Sequence, residues 1–402
     1  MVGEWALLLA PEPPFPPAGG GAIRTGSVLD FLAKRYRVHL LTFRVGEGGA
    51  VAAEGVERLD WVRLPSHSRN GGVRMARNAW RLARGVLPLS DRFSGSQSRQ
   101  QVARAMAGRR YEIAVAEHFW CATYVDLLRE HSAMVILDLH NIESALHQHC
   151  SRSQGAPAQW AHRAFARIAR CAEREWLPRF DLVLAASEDD RRRVQELAPG
   201  VRTAVYPNAI SLGPLPEVAE EHAIAFSGNL EYHPNVAAVR YFRRRVWPAL
   251  RERDLQLRWR LIGSNEAAVR GLVTGDPRIE LTGAVEDAVS ELARARLVVA
   301  PLLAGSGTRV KILEAWAAGR AVVSTRLGAE GLPAVDGENV VLADTPEQMM
   351  EAVLALLGDP ARRSRLGRAG RRLVEERLSW PAAHKELERT LAACRPAAGL
   401  LK

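Results

Sequence analysis

Charged residues suited to binding phosphate and sugar hydroxyls follow a glycine-rich loop in the last third of the chain. The loop consists of Gly305, Ser306, Gly307 and Thr308. Thr308 is a favourable residue at a helix N-cap, and apolar residues recur at helical spacing from Val310 to Ala317, so the sequence predicts a helix that begins at the loop. The free N–H groups and the positive dipole end of such a helix favour an anion.

Arg309 and Lys311 lie in the first turn of this predicted helix. Positive charge opposes the helix dipole there, so both residues are best explained by a bound anion. Glu314 comes three residues after Lys311, on the same face, and a carboxylate at that place can accept hydrogen bonds from sugar hydroxyls. The alternative is a surface helix with an ordinary Lys–Glu pair.

Imidazoles follow two predicted strands. His118 comes just after the strand over 111–116, and His140 and Asn141 follow the strand over 134–139. Ligands bind at the carboxyl edge of open α/β sheets, so both histidines are candidates for binding substrate. The alternative for each is a structural histidine whose nitrogens are hydrogen-bonded within the protein.

Composition limits the class of protein. The 402 residues are 47% hydrophobic and 25% charged, with a formal net charge of +10, which is typical of a two-domain globular chain. Nucleic-acid binding is disfavoured because the arginines are spread along the chain and the sequence also has 45 acidic residues. No zinc-finger or RNA-binding motif is visible either. Cys121, Cys150, Cys171 and Cys394 show no metal-site or disulfide spacing.

No signal sequence or long apolar span is visible, so we expect a cytoplasmic protein. Arg74, Arg77, Arg81 and Arg84 form a basic helical stripe that can lie on an anionic membrane at its inner face, or can be an ordinary solvated face.

Alternating strand and helix patterns predict two doubly wound parallel sheets. The boundaries are 1–207 for the first domain, 208–216 for a linker rich in turn formers, 217–378 for the second domain and 379–402 for a final helix.

Gly19, Gly20 and Gly21 follow the first strand in a pattern other than GxGxxG, which argues against a nicotinamide cofactor. Gly228, Gly263, Gly283 and Gly305 come just after strands of the second domain, as expected of a nucleotide-binding edge.

The assembled motifs resemble the family 4 glycosyltransferases of GT-B fold, in particular the exopolysaccharide-associated sugar transferases. The resemblance extends over nearly the whole chain. Its motifs are PPFPPAGGGAIR, DLHNIES, FSGNLEYHPNVAAVRYF, LTGAVEDA and APLLAGSGTRVKILEAWAAGRAVVSTRLGAEGL.

The resemblance implies two Rossmann-like domains that face across a cleft, with the donor held mainly by the second and the acceptor by the first, and a final helix that crosses back to the first. It implies a retaining, metal-independent transfer from a nucleotide-diphosphate sugar to a saccharide, lipid-linked or small-molecule acceptor, without a cofactor. By this resemblance Glu314 holds the ribose, His118 touches the donor sugar, and His140 and Asn141 lie with Gly19, Gly20 and Gly21 on the acceptor side. The implied donor residues are Gly228, Asn229, Gly283, Ala284, Val285, Gly305, Ser306, Gly307, Thr308, Arg309 and Lys311.

The chain departs from the family pattern in two places. Ser306 stands where many relatives have a glutamate, and Asn229 and His233 stand where most have an Arg and a Lys. Arg309 and Lys311 are expected to supply the missing phosphate charge, and neutralising Arg309 should then weaken donor binding by about 1.5–3 kcal/mol.

Three alternatives remain at this point. A nucleotide-sugar epimerase or a phosphorylase shares the fold, although neither the extra acid–base groups of the first nor the cofactor lysine of the second is identifiable. A degenerate protein that binds nucleotide sugar without turnover is favoured by Ser306, and a membrane scaffold by the basic stripe. No carboxylate pair at hydrolase spacing is present, so no nucleophile is assigned.

Overall fold

A computed structural model describes residues 3–15, 20–46, 54–66, 70–153, 156, 158–304 and 309–394. Two compact units divide the chain: unit 1 comprises residues 1–207 and 384–402, and unit 2 comprises 208–383. The predicted glycines Gly19, Gly305 and Gly307, with Ser306 and Thr308, lie outside the described residues. None of the described helices combines the length and the apolar character needed to cross a membrane.

Unit 1 is built on a sheet of parallel strands flanked by helices. Its strands are β1 (Trp5–Ala10), β2 (Arg37–Val45), β3 (Val56–Leu64), β4 (Tyr111–Glu117), β5 (Ser132–Asp138), β6 (Leu182–Ala185) and β7 (Thr203–Val205). Its helices are α1 (Gly20–Ala33), α2 (Gly71–Ala83), α3 (Pro88–Phe93), α4 (Ser96–Met106), α5 (Val125–His131), α6 (Glu143–Ser153), α7 (Ala158–Trp176) and α8 (Glu188–Leu197).

Unit 2 repeats the same architecture. Its strands are β8 (Glu221–Ser227), β9 (Arg258–Ile262), β10 (Ile279–Gly283), β11 (Ala295–Ala300), β12 (Ala321–Ser324) and β13 (Val341–Leu342). Its helices are α9 (His233–Arg245), α10 (Trp247–Arg253), α11 (Ala267–Val273), α12 (Ala288–Ala293), α13 (Val310–Ala317), α14 (Pro346–Gly358) and α15 (Pro360–Leu373). A π-helical turn, Val374–Leu378, leads into α16 (Trp380–Cys394), and the division between the units falls inside α16.

The strand orders place one switch point in each sheet. In the described residues the orders are β3-β2-β1-β4-β5-β6-β7 and β10-β9-β8-β11-β12-β13, with every neighbouring pair parallel. The order reverses between β1 and β4 in unit 1 and between β8 and β11 in unit 2. Ligands of doubly wound sheets bind beside the carboxyl ends of strands at such a point. The predicted α/β fold class with two doubly wound sheets is confirmed.

The central strands are apolar because both of their faces are covered by helices. In β1, residues 6–10 have no exposed surface, and β8 and β11 are buried to the same degree over most of their length. This framework positions the carboxyl ends of β1, β4, β8 and β11.

Two local predictions are wrong. The sequence predicts a single helix that begins at Pro234 and runs to about Arg251, but the structure has two helices that meet at Val246. Pro248 has no N–H and its ring displaces the preceding turn. In α2 the basic stripe is incomplete, since Arg81 is buried and donates to Asp91 at 2.8 Å. The side chain of Arg74 lies outside the described residues.

Candidate active site

Helix α13 carries Lys311 and Glu314 at the switch point of unit 2. The residues between and after them are buried in the core of that unit: Ile312, Leu313, Ala315, Trp316 and Ala317. The spacing of three leaves Lys311 and Glu314 on the remaining face, where both are only partly exposed. Among the described residues they form no ion pair with each other, so the alternative of a solvated Lys–Glu pair is wrong.

Lys311 is a mostly buried cation with an uncharged partner. Its Nζ donates to Oδ1 of Asn235 at 2.9 Å and lies 5.2 Å from the centre of the Phe226 ring. Burial lowers the pKa of Lys311 to about 8, and nearby Arg309 lowers it further while Glu314 opposes the shift. The amine is therefore charged at neutral pH and would gain from a negatively charged ligand.

Glu314 lies across from the last residue of β8. Ser227 donates from Oγ to Oε2 of Glu314 at 3.2 Å. Burial raises the pKa of Glu314, whereas the Ser227 hydrogen bond and Lys311 favour the charged form. Neither Ser227 nor Asn235 was predicted, although Ser227 directly precedes Gly228 and Asn235 lies in the quoted motif around β8.

Arg309 is the residue before α13 and is largely withdrawn from solvent. Its Nη2 donates to the carbonyl oxygen of Leu327 at 3.0 Å and lies 3.8 Å from Oε2 of Glu330. The structure therefore places Arg309 at the N-cap, one position later than the Thr308 cap expected from the sequence.

Glycines line the carboxyl edge of the unit 2 sheet where strands pass close to one another. Gly228 and Gly263 have φ angles of 136° and 144°, which favour glycine. A Cβ on Gly263 would lie 1.9 Å from the carbonyl oxygen of Gly228, so no side chain fits there. Gly283 ends β10 and its carbonyl accepts from the Gly263 N–H at 2.9 Å, which joins three of the predicted glycines into one edge.

Asn229 is used to hold the turn after β8. Its Oδ1 accepts from the N–H of Glu231 at 3.0 Å and from Asn265 at 3.1 Å, and its carbonyl accepts from Asn235 at 2.7 Å. Ala284 is exposed and Val285 packs partly against the core of unit 2.

His118 and His140 come together at the switch point of unit 1. Their ring centroids are 3.5 Å apart, and a Cβ on Gly21 would lie 3.7 Å from Nε2 of His118 and from Nδ1 of His140. Gly20 begins α1, so the first turn of that helix and both imidazoles face the same spot. Asn141, the residue after His140, is partly buried. No side-chain hydrogen bond of Asn141 is present among the described residues.

Burial disfavours the charged form of both imidazoles. Burial lowers the pKa of His118 well below its usual range, and the neighbouring His140 and Arg24 lower it further. Burial also lowers the pKa of His140, to about 3, against the pull of Asp138. A neutral imidazole offers one donor and one acceptor, which suits a sugar hydroxyl better than a phosphate.

A buried charge network unpredicted from sequence lies beneath His140. Arg24 donates to both oxygens of Asp138, at 2.8 and 2.5 Å, and to the carbonyl of Tyr206 at 2.7 Å. Nε2 of His140 and Oε2 of Glu117 are 2.6 Å apart, and Thr25 donates to the same oxygen at 3.1 Å. Burial raises the pKa of Glu117 to about 7, which Arg24 opposes.

Residues 221–359 match the family model described as glycosyl transferases group 1. The chain is a glycosyltransferase. Among curated proteins, none matches the sequence.

Solved structures of other glycosyltransferases share the fold. Sucrose-phosphate synthase from Thermosynechococcus elongatus is 17% identical, with a TM-score of 0.69 over 97% of this chain and 100% of that one. HepE of Anabaena in complex with UDP is 14% identical, with a TM-score of 0.64 over 96% and 99%. WaaG, involved in lipopolysaccharide biosynthesis, is 14% identical, with a TM-score of 0.58 over 98% and 100%. The fold of this glycosyltransferase is GT-B.

One group of side chains in the described part of the glycosyltransferase has the composition of a metal site. Glu117, Asp138 and His140 each offer a ligand atom within 4.8 Å of the others. The guanidinium of Arg24 already binds both oxygens of Asp138, so a metal ion would have to displace an internal cation. The expectation of a metal-free site stays a prediction.

Proposed function

We propose that the chain is a retaining, metal-independent glycosyltransferase of the family 4 type, which transfers a sugar from a nucleotide-diphosphate donor to a saccharide, lipid-linked or small-molecule acceptor. The observation that carries the proposal is the mostly buried Lys311, whose described partner is the amide oxygen of Asn235, with Glu314 on the same face of α13. A diphosphate would give Lys311 a negatively charged partner, and ribose hydroxyls would donate hydrogen bonds to Glu314.

The proposed chemistry follows from where charge develops. The bond between the anomeric carbon and the phosphate oxygen breaks, its electron pair stays on the phosphate, and the sugar becomes oxocarbenium-like. Lys311 and Arg309 stabilise the departing phosphate as its negative charge grows. The acceptor oxygen bonds to the anomeric carbon on the face that the phosphate leaves, and the acceptor proton passes to the phosphate oxygen. No protein nucleophile is needed for this sequence.

The proposed role of His118 is to bind a hydroxyl of the donor sugar. Burial lowers the pKa of its imidazole, which favours the neutral form, and its Nε2 faces the spot beside Gly21. His140 presents Nδ1 to the same spot, and Asn141 follows it on the acceptor side. Gly19, Ser306 and the rest of the glycine-rich loop before Arg309 are proposed to complete the donor and acceptor sites.

Similar structures support a nucleotide-sugar donor and a saccharide acceptor. HepE of Anabaena has been solved with UDP and glucose and with UDP-glucose, and TarM of S. aureus with UDP and α-GlcNAc-glycerol. WaaG is involved in lipopolysaccharide biosynthesis, which favours a role in polysaccharide biosynthesis for this chain, in the exopolysaccharide branch that the motifs resemble. We propose that it acts in the cytoplasm, at the inner face of the membrane.

The test is a thermal-shift and turnover screen with UDP-, GDP-, ADP- and dTDP-sugars, using slow donor hydrolysis as the readout and EDTA as the control. One nucleotide should raise the melting temperature, and its sugar should be released with unchanged anomeric configuration in the presence of EDTA. Lys311→Met should abolish the shift, whereas Lys385→Met, on an exposed part of α16, should keep it. Nucleotide binding without turnover would instead favour the degenerate protein, in which Ser306 replaces the glutamate of many relatives.

We also propose that α2 contacts an anionic membrane. Met75 is 72% exposed and Trp80 is 51% exposed, and Arg84 stacks over the Trp80 ring at 4.5 Å. Exposed apolar side chains beside arginines suit the interface of anionic lipid. Sedimentation with phosphatidylglycerol vesicles should fall in Met75→Ser/Trp80→Ser but not in Leu255→Ser, a 78% exposed control in unit 2. Equal sedimentation of all three proteins would contradict this contact.

A further inference from the structure

His118 lies within a stack of aromatic rings at the switch point of unit 1. Its ring centroid is 4.3 Å from that of Trp120, with 10° between the planes, and 3.5 Å from that of His140, with 29° between the planes. Phe93 continues the stack on Trp120, at 5.8 Å and 6°. Two rings at such distances cannot share one face of an imidazole without overlapping, so Trp120 and His140 cover opposite faces of His118.

A buried carboxylate fixes each of the two outer rings. Trp120 donates from Nε1 to Oε1 of Glu143 at 2.9 Å, and Nε2 of His140 shares a hydrogen bond with Glu117 at 2.6 Å. Glu143 is 6% exposed and Glu117 is fully buried. Because both carboxylates belong to the packed interior, the rings that they hold have little freedom to move along or away from His118.

The backbone of His118 is held in an unfavourable conformation. Its φ of 63° lies in a region that residues with a side chain seldom adopt, at a cost of about 1–3 kcal/mol. The N–H of His118 donates to the carbonyl of Asp138 at 2.9 Å, and its carbonyl accepts from the N–H of Cys121 at 3.0 Å. These bonds keep the turn after β4 in place, and the side chain enters the gap between Trp120 and His140.

We propose that Trp120 and His140 are positioning residues for His118. With both faces covered, the ring can present only its edge, and Nε2 lies on the edge that faces Gly21. The stack thereby fixes the direction in which His118 offers a hydrogen bond. The catalytic consequence rests on the proposed function, in which that hydrogen bond is made to the donor sugar.

The consequence expected for catalysis is a loss of orientation rather than of binding. A substitution far from the reacting atoms that displaces a contacting group by about 1 Å can lower the rate roughly a hundredfold. Trp120→Leu, which removes one face of the stack, should lower kcat about 10- to 100-fold with a smaller change in KM. Trp120→Phe keeps a ring on that face, although it loses the bond to Glu143, and should recover most of kcat.

The test combines this kinetic series with NMR of the full chain labelled in its histidine rings. The His118 resonances, assigned with His118→Gln, should lie upfield from ring-current shifts and should move downfield in Trp120→Leu and in His140→Ala. In Trp120→Phe they should stay near their original positions. Trp160→Leu, at a tryptophan 64% exposed on α7, is the matched control and should change neither the resonances nor kcat.

Unchanged His118 resonances in both Trp120→Leu and His140→Ala would overturn the proposal, because the ring would then be fixed by other contacts. The NMR measurement needs no substrate, so it remains decisive if no donor is turned over. If the resonances move as expected while His118→Gln transfers sugar at the normal rate, the positioning holds and the proposed sugar contact of His118 is wrong.

Discussion

The buried Arg24 of unit 1 is neutralised by a carboxylate, whereas the mostly buried Lys311 of unit 2 has an uncharged partner. Arg24 is bound to both oxygens of the fully buried Asp138. Lys311 binds an amide oxygen instead, and among the described residues no carboxylate forms an ion pair with it. A closed ion pair contributes to folding and leaves little charge for a ligand, while a buried cation without an ionic partner favours an anion. The comparison assigns a structural role to the charge of Arg24 and a ligand-binding role to the charge of Lys311.

The largest effect is expected from opening the ion pair of unit 1. Arg24→Met leaves the carboxylate of Asp138 buried without a cation and should lower the free energy of unfolding by about 3–5 kcal/mol. Urea denaturation measures this loss. Arg37→Met removes a partly exposed partner of Glu57 in the same unit and should cost less than about 1 kcal/mol. The double variant Arg24→Met/Asp138→Asn should be more stable than Arg24→Met, and failure to recover would contradict the pairing.

The matching change in unit 2 should affect binding more than folding. Lys311→Met removes the charge proposed for the diphosphate and should weaken nucleotide binding by about 1.5–3 kcal/mol, measured by calorimetry. The free energy of unfolding should change by only about 1 kcal/mol, because an amide is the group left without its partner. A large loss of stability with normal nucleotide binding would contradict the ligand-binding role given to Lys311.

Nucleotide binding should also depend on the protonation of Lys311. Its pKa of about 8 in the folded protein lies below the usual value of 10.5, so the amine loses its charge as the pH rises through 8. Because the diphosphate is proposed to bind the charged form, the Kd should increase by up to about tenfold per pH unit above that point. Titration calorimetry between pH 7 and 9.5 measures the increase. Lys311→Arg keeps its charge over this range and should show no such step.

The smallest effect is expected at the neutral partner of Glu314. Ser227→Ala removes the hydroxyl that donates to Oε2 and should lower the stability of unit 2 by about 0.5–1.5 kcal/mol. The pKa of Glu314 should rise further, since the lost hydrogen bond favoured its charged form. Ser264→Ala, at an exposed side chain after β9, is the control for urea denaturation and should leave stability unchanged.

Sequence periodicity alone determined the doubly wound architecture. Apolar runs such as β1 and β11 can be buried only between layers of helices, and glycines after strands indicate close passage of the backbone at the carboxyl edge. The shared face of Lys311 and Glu314 was predictable because a helix fixes the direction of residues three apart. The proximity of His118 and His140 was predictable because both follow strands of one parallel sheet.

Tertiary structure alone decided which side chains these residues meet. Arg24 and Asp138 are separated by 114 positions, and Lys311 and Asn235 by 76, so no local pattern relates them. The outward stripe expected of α2 is likewise incomplete, because Arg81 is buried and donates to Asp91 of α3. Local periodicity fixes the direction of a side chain, but the partner at its end depends on strand order and on the loops that the whole sheet brings together.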